Sequence, residues 1–459
     1  MLKASNLTKY PSGSLREITS LAFPMMLTAL SANLMTFFDR VILGHYSLEA
    51  MNSVAAASSA IMPFVFAGWA VASIAEIFVG QFNGAQKYER VGESVWQMIW
   101  FSVGLMAFFI PMGLYAGPFI ITKPFYQEGL PYYKWIMSTG YLCSFNAALA
   151  SFFIGRGKVK LVMMSAIVGN AINLGLDVLF VFGIEGFLEP MGTRGAAIAT
   201  VLSECMQVLI LLVVFLLPSY RKKFHTHIWH FRWPIFKDCL KIGTPNAVSH
   251  LISMSAWYFI FAITGSTGIH NVTVFQIGQT IFILFTFLAD GLQKAVIALA
   301  SNAIGEGKLD KVPRILKSSI KFHVCMISLL AIPFLFFPEV FINVFLGDKS
   351  IILIDTIIHH GRTALAWVWL FLLFDDCVWI IAGILTSAGD TKFVMIMNSV
   401  SSWFFGVLPV YIFIVILKED PVLVWQLMAF YGFINILLFT WRYRKGVWKK
   451  MSITQEMTA

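Results

Sequence analysis

Apolar residues along this chain run in long blocks separated by short polar segments. A helix needs about 20 mostly apolar residues to cross a bilayer. Twelve blocks reach that length, at about 16–44, 53–80, 94–117, 135–155, 161–183, 195–217, 242–264, 272–300, 323–346, 361–388, 393–417 and 422–441. The pattern predicts an all-α polytopic membrane protein with twelve transmembrane helices. An even number of spans leaves both ends on one side. The first block is too long for the core of a cleavable signal and lacks a small-residue cleavage site.

The polar segments carry a charge asymmetry that orients the spans. With the N-terminus inside, the inner segments hold 25 Lys and Arg, including Arg221, Lys222, Lys223 and the tail residues Arg442, Arg444, Lys445, Lys449 and Lys450. The outer loops hold only Lys123, Lys134, Arg194, Lys349 and Lys418, with Arg362 at the outer edge of span 10. Positive charge gathers on the cytoplasmic side, so both termini are expected in the cytoplasm.

The blocks also repeat. AFPMMLTAL at 22–30 resembles IGTPNAVSHL at 242–251, and QFNGAQKYERV at 81–91 resembles SNAIGEGKLDKV at 301–312. The pairs Pro24/Pro245, Gly84/Gly305, Lys87/Lys308 and Val91/Val312 all share one common offset. GKVKLVM at 157–163 resembles GDTKFVM at 389–395. The expected plan is therefore two pseudo-symmetric six-helix lobes, 1–217 and 242–441. A linker at 218–241 joins them, and a tail follows at 442–459. Parallel repeats of this kind place a substrate site between the halves.

Composition agrees with the pattern. Hydrophobic residues make up 58% and charged residues 12%, about half the charged share of a soluble domain. The net charge of +9 is spread over loop clusters rather than a nucleic-acid face, so no nucleic-acid partner is expected. The five cysteines are scattered without a C-x-x-C pair and are expected to act as small apolar residues. His225, His227 and His230 lack accompanying Cys or acidic ligands, which fits a solvated linker better than a metal site.

A charge inside the bilayer costs several kcal/mol, so intramembrane charges are functional candidates. They are Asp39 and Arg40 in span 1, Glu76 in span 2, Asp177 in span 5, Glu204 in span 6, Asp290 and Lys294 in span 8, and Asp375 and Asp376 in span 10. Asn170, Asn173 and Asp177 follow at spacings of three and four, along one helix face. In span 6, Ala196 and Thr200 stand one turn apart. With Asp39 these residues offer carboxylate, amide, hydroxyl and carbonyl oxygens, a set suited to a hard cation or a shared proton. The competing reading is that the polar residues of span 5 only bind helices together. Asp290 and Lys294, at i and i+4 with the acid first, form either a self-compensating pair or a charged element of a substrate cavity. Of Asp375 and Asp376, one side chain is expected to face the cavity while the other finds a donor. Gln276, Trp257 and Trp379, with Phe275 and Phe285, are candidates for the cavity wall, where aromatic and methionine side chains repack around varied ligands.

The ordered motifs resemble those of the multidrug and toxic compound extrusion (MATE) transporters. NLMTFFDRVILGHYSLEAM at 33–51 is similar to their first span, and VGQFNGA at 79–85 to the exit of their second. FIGRGKVKLVMMSAIVGNAINLGLDVLFVFG at 153–183, and ILTSAGDTKFVM at 384–395, are similar to their repeated loop-and-span signature. The likeness covers about 15–445. It implies that Asp39, Asn173, Asp177, Ala196 and Thr200 correspond to the cation site of the N-terminal lobe, and Asp375 to a span 10 acid. Two departures stand out: Ser253 occupies the position where one branch has a span 7 glutamate, and Arg40 follows the span 1 acid. Adjacent helix residues do not face each other, so Arg40 is expected to point outward.

The resemblance implies an antiporter of the plasma (inner) membrane, working as a monomer without a cofactor. It would exchange Na⁺ or H⁺ for small organic, cationic or amphiphilic compounds by alternating access. A lipid-linked oligosaccharide flippase of similar two-lobe plan is the alternative. G-x-x-x-x-G-K-[ST], H-E-x-x-H and G-x-S-x-G are all absent from the sequence, which argues against ATP-driven pumping and against a membrane enzyme.

Overall fold

The computed structural model describes residues 7–267, 269–345, 354–420 and 422–451. Twelve helices long and apolar enough to cross a membrane occupy it: α1 (Leu15–Tyr46), α2 (Leu48–Gly84), α3 (Tyr88–Ile120), α4 (Lys123–Ile154), α5 (Val159–Phe182), α6 (Gly192–Phe215), α7 (Trp233–Gly265), α8 (Thr273–Gly305), α9 (Lys311–Phe336), α10 (Ile358–Ser387), α11 (Thr391–Ile416) and α12 (Leu423–Lys445). No named strand occurs among the described residues, only an isolated bridge between Ile184 and Leu188. The chain is a multi-pass, all-helical membrane protein. Lys3 and Lys349, which entered the charge count, lie outside the described residues, as does the tail from 452 onward.

The helices outrun the apolar blocks. α4 begins at Lys123 and α7 at Trp233, where the hydropathy pattern starts them near 135 and 242. Segments such as Trp233–Gly243 are too polar for lipid yet contain no helix breaker after Pro234. The helix therefore continues past the membrane boundary. Part of the expected linker is also helical, at Pro218–Phe224. Of the five cysteines, Cys239 is buried while Cys205 and Cys325 lie on exposed helix faces. In a bilayer an outward face is also apolar, so exposure and polarity do not go together there.

Proline shapes the spans internally. Widened turns of π type occur at Met112–Ala116 after Pro111 and at Ile332–Phe336 around Pro333. Two more, Ser402–Val407 and Tyr411–Ile416, flank Pro409. A proline removes one helix N–H, and the widened turn re-satisfies the freed carbonyls without exposing them to lipid. The first two turns start at Met112 and Ile332, within one position of the repeat offset. The backbone irregularity therefore repeats with the sequence.

The described residues divide into two compact units. One holds the chain up to Met26 with Leu251–Ala300 and Lys308–Ser452. The other holds Leu27–His250 and Ser301–Gly307. The first unit is centred on packed rings. Trp257 stacks on Phe282 at 5.4 Å, Phe275 stacks on Trp425 at 5.4 Å, and Phe282 meets Phe371 at 5.1 Å. In the second unit Ala57, Ile61, Val65, Phe109, Tyr133 and Met137 form a buried cluster from α2, α3 and α4.

The second unit contains a reciprocal helix crossing. A Cβ at Gly84 would overlap the Asn302 carbonyl, and a Cβ at Gly305 would overlap the Gln81 carbonyl. Positions 84 and 305, like 81 and 302, are separated by the repeat offset, so the two contacts are images of one another. Asn83 Nδ2 donates to Asn302 Oδ1 at 2.7 Å, and Asn302 Nδ2 donates to the Gly155 carbonyl at 2.7 Å. Without a hydrophobic force between helices in lipid, close backbone approach at small residues and hydrogen bonds supply the adhesion.

Candidate functional site

α1 and α5 bring two carboxyls together in the second unit, with Asn173 one turn away on α5. On α5 the buried face runs through Ser165, Ala166, Gly169, Asn173 and Asp177, the 3–4 spacing that a packed helix face requires. Gly195 lets α6 lie against α5 beside the Phe180 carbonyl, where a Cβ would not fit at ordinary contact. Asp39 lies seven residues before the end of α1, about 10 Å along the axis. Its carboxyl is within hydrogen-bonding reach of the Asp177 carboxyl.

No donor among the described residues serves this pair. Both Asp177 oxygens and Asp39 Oδ1 are buried without a hydrogen-bond partner, as are Oδ1 and Nδ2 of Asn173 one turn away. Asp177 is 1% exposed and Asn173 0%. Two carboxyls facing each other cannot both stay ionised in such a place without a cation or proton between them. The atoms offered are all oxygen apart from the Asn173 amide nitrogen. That composition fits a hard cation or a shared proton. Residues one turn further along, Ile42, Leu43 and Val181, pack with Ala50, Val54 and Ala196 into an apolar cluster. Arg40 is exposed; it turns away from Asp39, as neighbouring helix residues do.

The other expected oxygen donors separate into two groups. Thr200 Oγ1 donates to the Ala196 carbonyl at 3.0 Å, so these two are engaged with each other and keep lone pairs free. Asn170 belongs to a different layer, two turns from Asp177. Its Nδ2 donates to Ser31 Oγ at 2.7 Å, and its Oδ1 accepts from Gln207 Nε2 at 3.5 Å. Asn146 Nδ2 in turn donates to Gln207 Oε1 at 3.3 Å. This relay ties α1, α4, α5 and α6 together and satisfies Asn170. Helical spacing alone groups Asn170 with Asn173, and only the hydrogen-bond partners distinguish them.

Sequence reasoning also missed Tyr132. It packs against the apolar cluster, its hydroxyl accepts from Ser58 Oγ at 3.4 Å, and it is close enough to Asp39, Asp177 and Glu204 to feel their charges. Its run, Tyr132-Tyr133-Lys134-Trp135, reads as an ordinary interfacial belt, so no sequence signal marks it out.

In the first unit the candidate residues spread over several environments. Trp379 Nε1 donates to Asp375 Oδ2 at 3.1 Å, one turn back on α10. Gln293 Nε2 donates to the Trp379 carbonyl at 3.3 Å. Asp376 is buried, and its Oδ2 stands 3.4 Å from His323 Nδ1 on α9, both side chains 2% exposed. The Leu373 carbonyl lies 3.1 Å from His323 Nε2. A carbonyl only accepts, so that nitrogen carries a proton. His323 was not among the sequence candidates, because a lone histidine in an apolar span has no motif around it. Asp290 and Lys294 lie one turn apart on α8, both half-buried. Trp257 is partly buried against the ring core and Phe275 is 1% exposed within it. Phe275 therefore fills the core instead of lining a cavity, the wide apolar surface of α8 being spent on packing with Trp425. Phe285 likewise packs on Phe334 at 5.3 Å. Gln276, the next residue on α8, is exposed.

The family model MatE matches residues 24–179 and 245–412; the starts of the two matches differ by the offset of the sequence repeat. A probable multidrug resistance protein NorM of Neisseria meningitidis serogroup B is 23% identical over 404 residues, covering 86% of both chains. One from Thermotoga maritima is 24% identical over 395 residues, covering 84% of this chain and 83% of that one. Among solved structures, a MATE protein in the straight conformation superposes with a TM-score of 0.86 at 20% identity, over 98% of this chain and 100% of that one. An outward-facing multidrug resistance transporter of the MATE family gives 0.84 at 20% identity, with the same coverage. These likenesses show the shared fold.

Proposed function

Because the chain belongs to the MatE family of multidrug efflux transporters, and so is a membrane transporter and not an enzyme, we propose that it is a cation-coupled exporter whose coupling ion sits between Asp39 and Asp177. The observation that carries this is the pair itself: two carboxyls within hydrogen-bonding reach, inside membrane-spanning helices, with no donor among the described residues. A bound Na⁺ or H⁺ offsets the repulsion and desolvation that two charged carboxyls suffer there. Asn173, and the Ala196 carbonyl with Thr200, supply further oxygen.

The ion enters from outside and settles between the carboxyls. Its arrival removes the negative charge that holds a cationic substrate, and the substrate leaves. Ion and substrate compete for the same charge and need not be bound together. A membrane potential of 100 mV contributes about 2.3 kcal/mol per charge, equivalent to about fifty-fold accumulation. The halves of the repeat would rock between outward- and inward-open forms, with the paired glycine contacts at Gly84 and Gly305 opening and closing one end of the pathway. Excess Lys and Arg in the inner segments support both termini in the cytoplasm, in a plasma membrane.

The substrates are small organic cations or amphiphiles. The buried acidic pair in the second unit supports this reading over a flippase for anionic lipid-linked sugars, which calls for a wide basic cavity. Efflux of ethidium from proteoliposomes under imposed Na⁺ or proton gradients tests it. The wild type should export under one of the two gradients, and Asp39→Asn should be inserted but inactive. Full gradient-driven efflux by Asp39→Asn would overturn the proposal.

A further inference from the structure

Between the helix Pro218–Phe224 and α7, residues 225–232 form a strap laid along the start of α3. Trp96 Nε1 donates to the Thr226 carbonyl at 2.8 Å and Trp100 Nε1 to the Trp229 carbonyl at 2.7 Å. Gln97 donates from Nε2 to the His230 carbonyl at 3.1 Å and accepts from the Arg232 amide at 2.9 Å. Arg232 closes the clasp on Glu93 at 2.8 Å. Three carbonyls and one amide of the strap are thus satisfied by side chains of one membrane span.

α3 changes from polar residues, Tyr88–Ser94, to apolar residues from Val95 onward. Trp96 and Trp100 lie about 12 and 18 Å from the first residue of this helix. A 33-residue helix of about 50 Å overhangs a hydrocarbon core of about 30 Å by some 10 Å at each end. The strap therefore lies where headgroups meet hydrocarbon. Backbone at that level needs internal partners, and the α3 side chains provide them.

What the strap presents outward matches the same level. Trp229, Phe231 and Trp233 are 59%, 51% and 60% exposed. The preceding helix exposes Arg221, Lys222 and Lys223, while Phe224 and Tyr220 hold it down by enclosing Arg156, whose guanidinium lies 3.9 and 4.6 Å from their ring centres. Large amphipathic rings beside a basic cluster complement the hydrocarbon boundary and the negative headgroups of a bilayer.

We propose that Pro218–Phe224 and the strap 225–232, with Trp233, form an interfacial anchor that binds anionic phospholipid. The rings of Trp229, Phe231 and Trp233 enter the boundary, and Arg221, Lys222 and Lys223 meet the phosphate-bearing headgroups.

The test uses the full chain in nanodiscs of phosphatidylcholine or phosphatidylglycerol. In phosphatidylglycerol, amides of 225–232 should exchange hydrogen severalfold more slowly than in phosphatidylcholine. Arg221→Gln/Lys222→Gln/Lys223→Gln should erase that difference while the α5 and α6 amides keep theirs unchanged. If the triple variant does not fold, Lys222→Gln alone should reduce the difference by about fivefold in lipid preference, the weight of one basic residue at such a surface. Brominated phosphatidylglycerol should quench more tryptophan emission in the wild type than in Trp229→Phe/Trp233→Phe. Equal exchange in both lipids for the wild type, or equal quenching in the two proteins, overturns the proposal. Neither readout depends on transport or on which face of the membrane the strap occupies.

Discussion

Replacing Asp39 by Asn should stabilise the cation-free protein while abolishing its response to the coupling ion. The carboxyls of Asp39 and Asp177 are within hydrogen-bonding reach and lack donors among the described residues. Where both carboxyls are ionised, at the high-pH end, two like charges at about 4 Å repel by about 4 kcal/mol at an effective dielectric of 20. The asparagine amide removes one charge and gives Asp177 a donor, so most of that repulsion disappears. In the wild type, a cation held at 100 times its Kd adds about 2.7 kcal/mol of stability. In a unit of this size one kcal/mol shifts Tm by about 2–4 °C. The assay is thermal unfolding in detergent, titrated with NaCl against choline chloride at fixed pH, and then with pH in choline alone. Wild-type Tm should rise by several degrees with one of the two ions. Asp39→Asn should start higher and stay flat under both. A variant that starts lower than wild type and still responds with full amplitude would refute the reasoning.

Other outcomes follow from the same geometry. Asn170→Ala should lower stability by about 1 kcal/mol, the worth of its bonds to Ser31 and Gln207, and leave the cation response intact. Asn173→Ala should weaken that response with little loss of stability, both readable in the same melts. Gly84→Ala forces a Cβ into the Asn302 carbonyl, at a cost of about 1–3 kcal/mol. It should speed hydrogen exchange across 301–307, and Gly305→Ala should do the same across 81–84. His323→Ala removes the buried imidazole beside Asp376 and its bond to the Leu373 carbonyl and should cost about 1–3 kcal/mol in chemical or thermal unfolding.

Much of this architecture is visible in the residue order, for a physical reason. Lipid forces every spanning backbone group into a helix, so block length alone yields twelve spans, and the common offset of the matched pairs yields the repeat. Helical spacing likewise puts Asn173 and Asp177 on one face. Spacing does not say which neighbour satisfies a side chain. Asn170 and Asn173 look equivalent at i and i+3, yet Ser31 and Gln207 occupy the first and nothing among the described residues bonds the second. Trp257 and Phe275 illustrate the same limit for apolar residues, since a ring facing a cavity and a ring facing another ring leave the same trace in a hydrophobic block. His323 and Tyr132 were not legible at all. Each gains meaning from a partner on a different helix, His323 from Asp376 and Tyr132 from Asp39. The strap at 225–232 reads as solvated linker because its hydrogen-bond partners lie in α3, far earlier in the chain.

Infrared difference spectroscopy tests the central claim most directly: the reconstituted protein is exposed to the coupling ion and the carboxyl bands are followed. Loading the site should change the carboxyl and carboxylate bands of the wild type. Asp39→Asn and Asp177→Asn should each lose the change, as should the double variant. A difference spectrum that survives in the double variant would mean that the ion is held elsewhere.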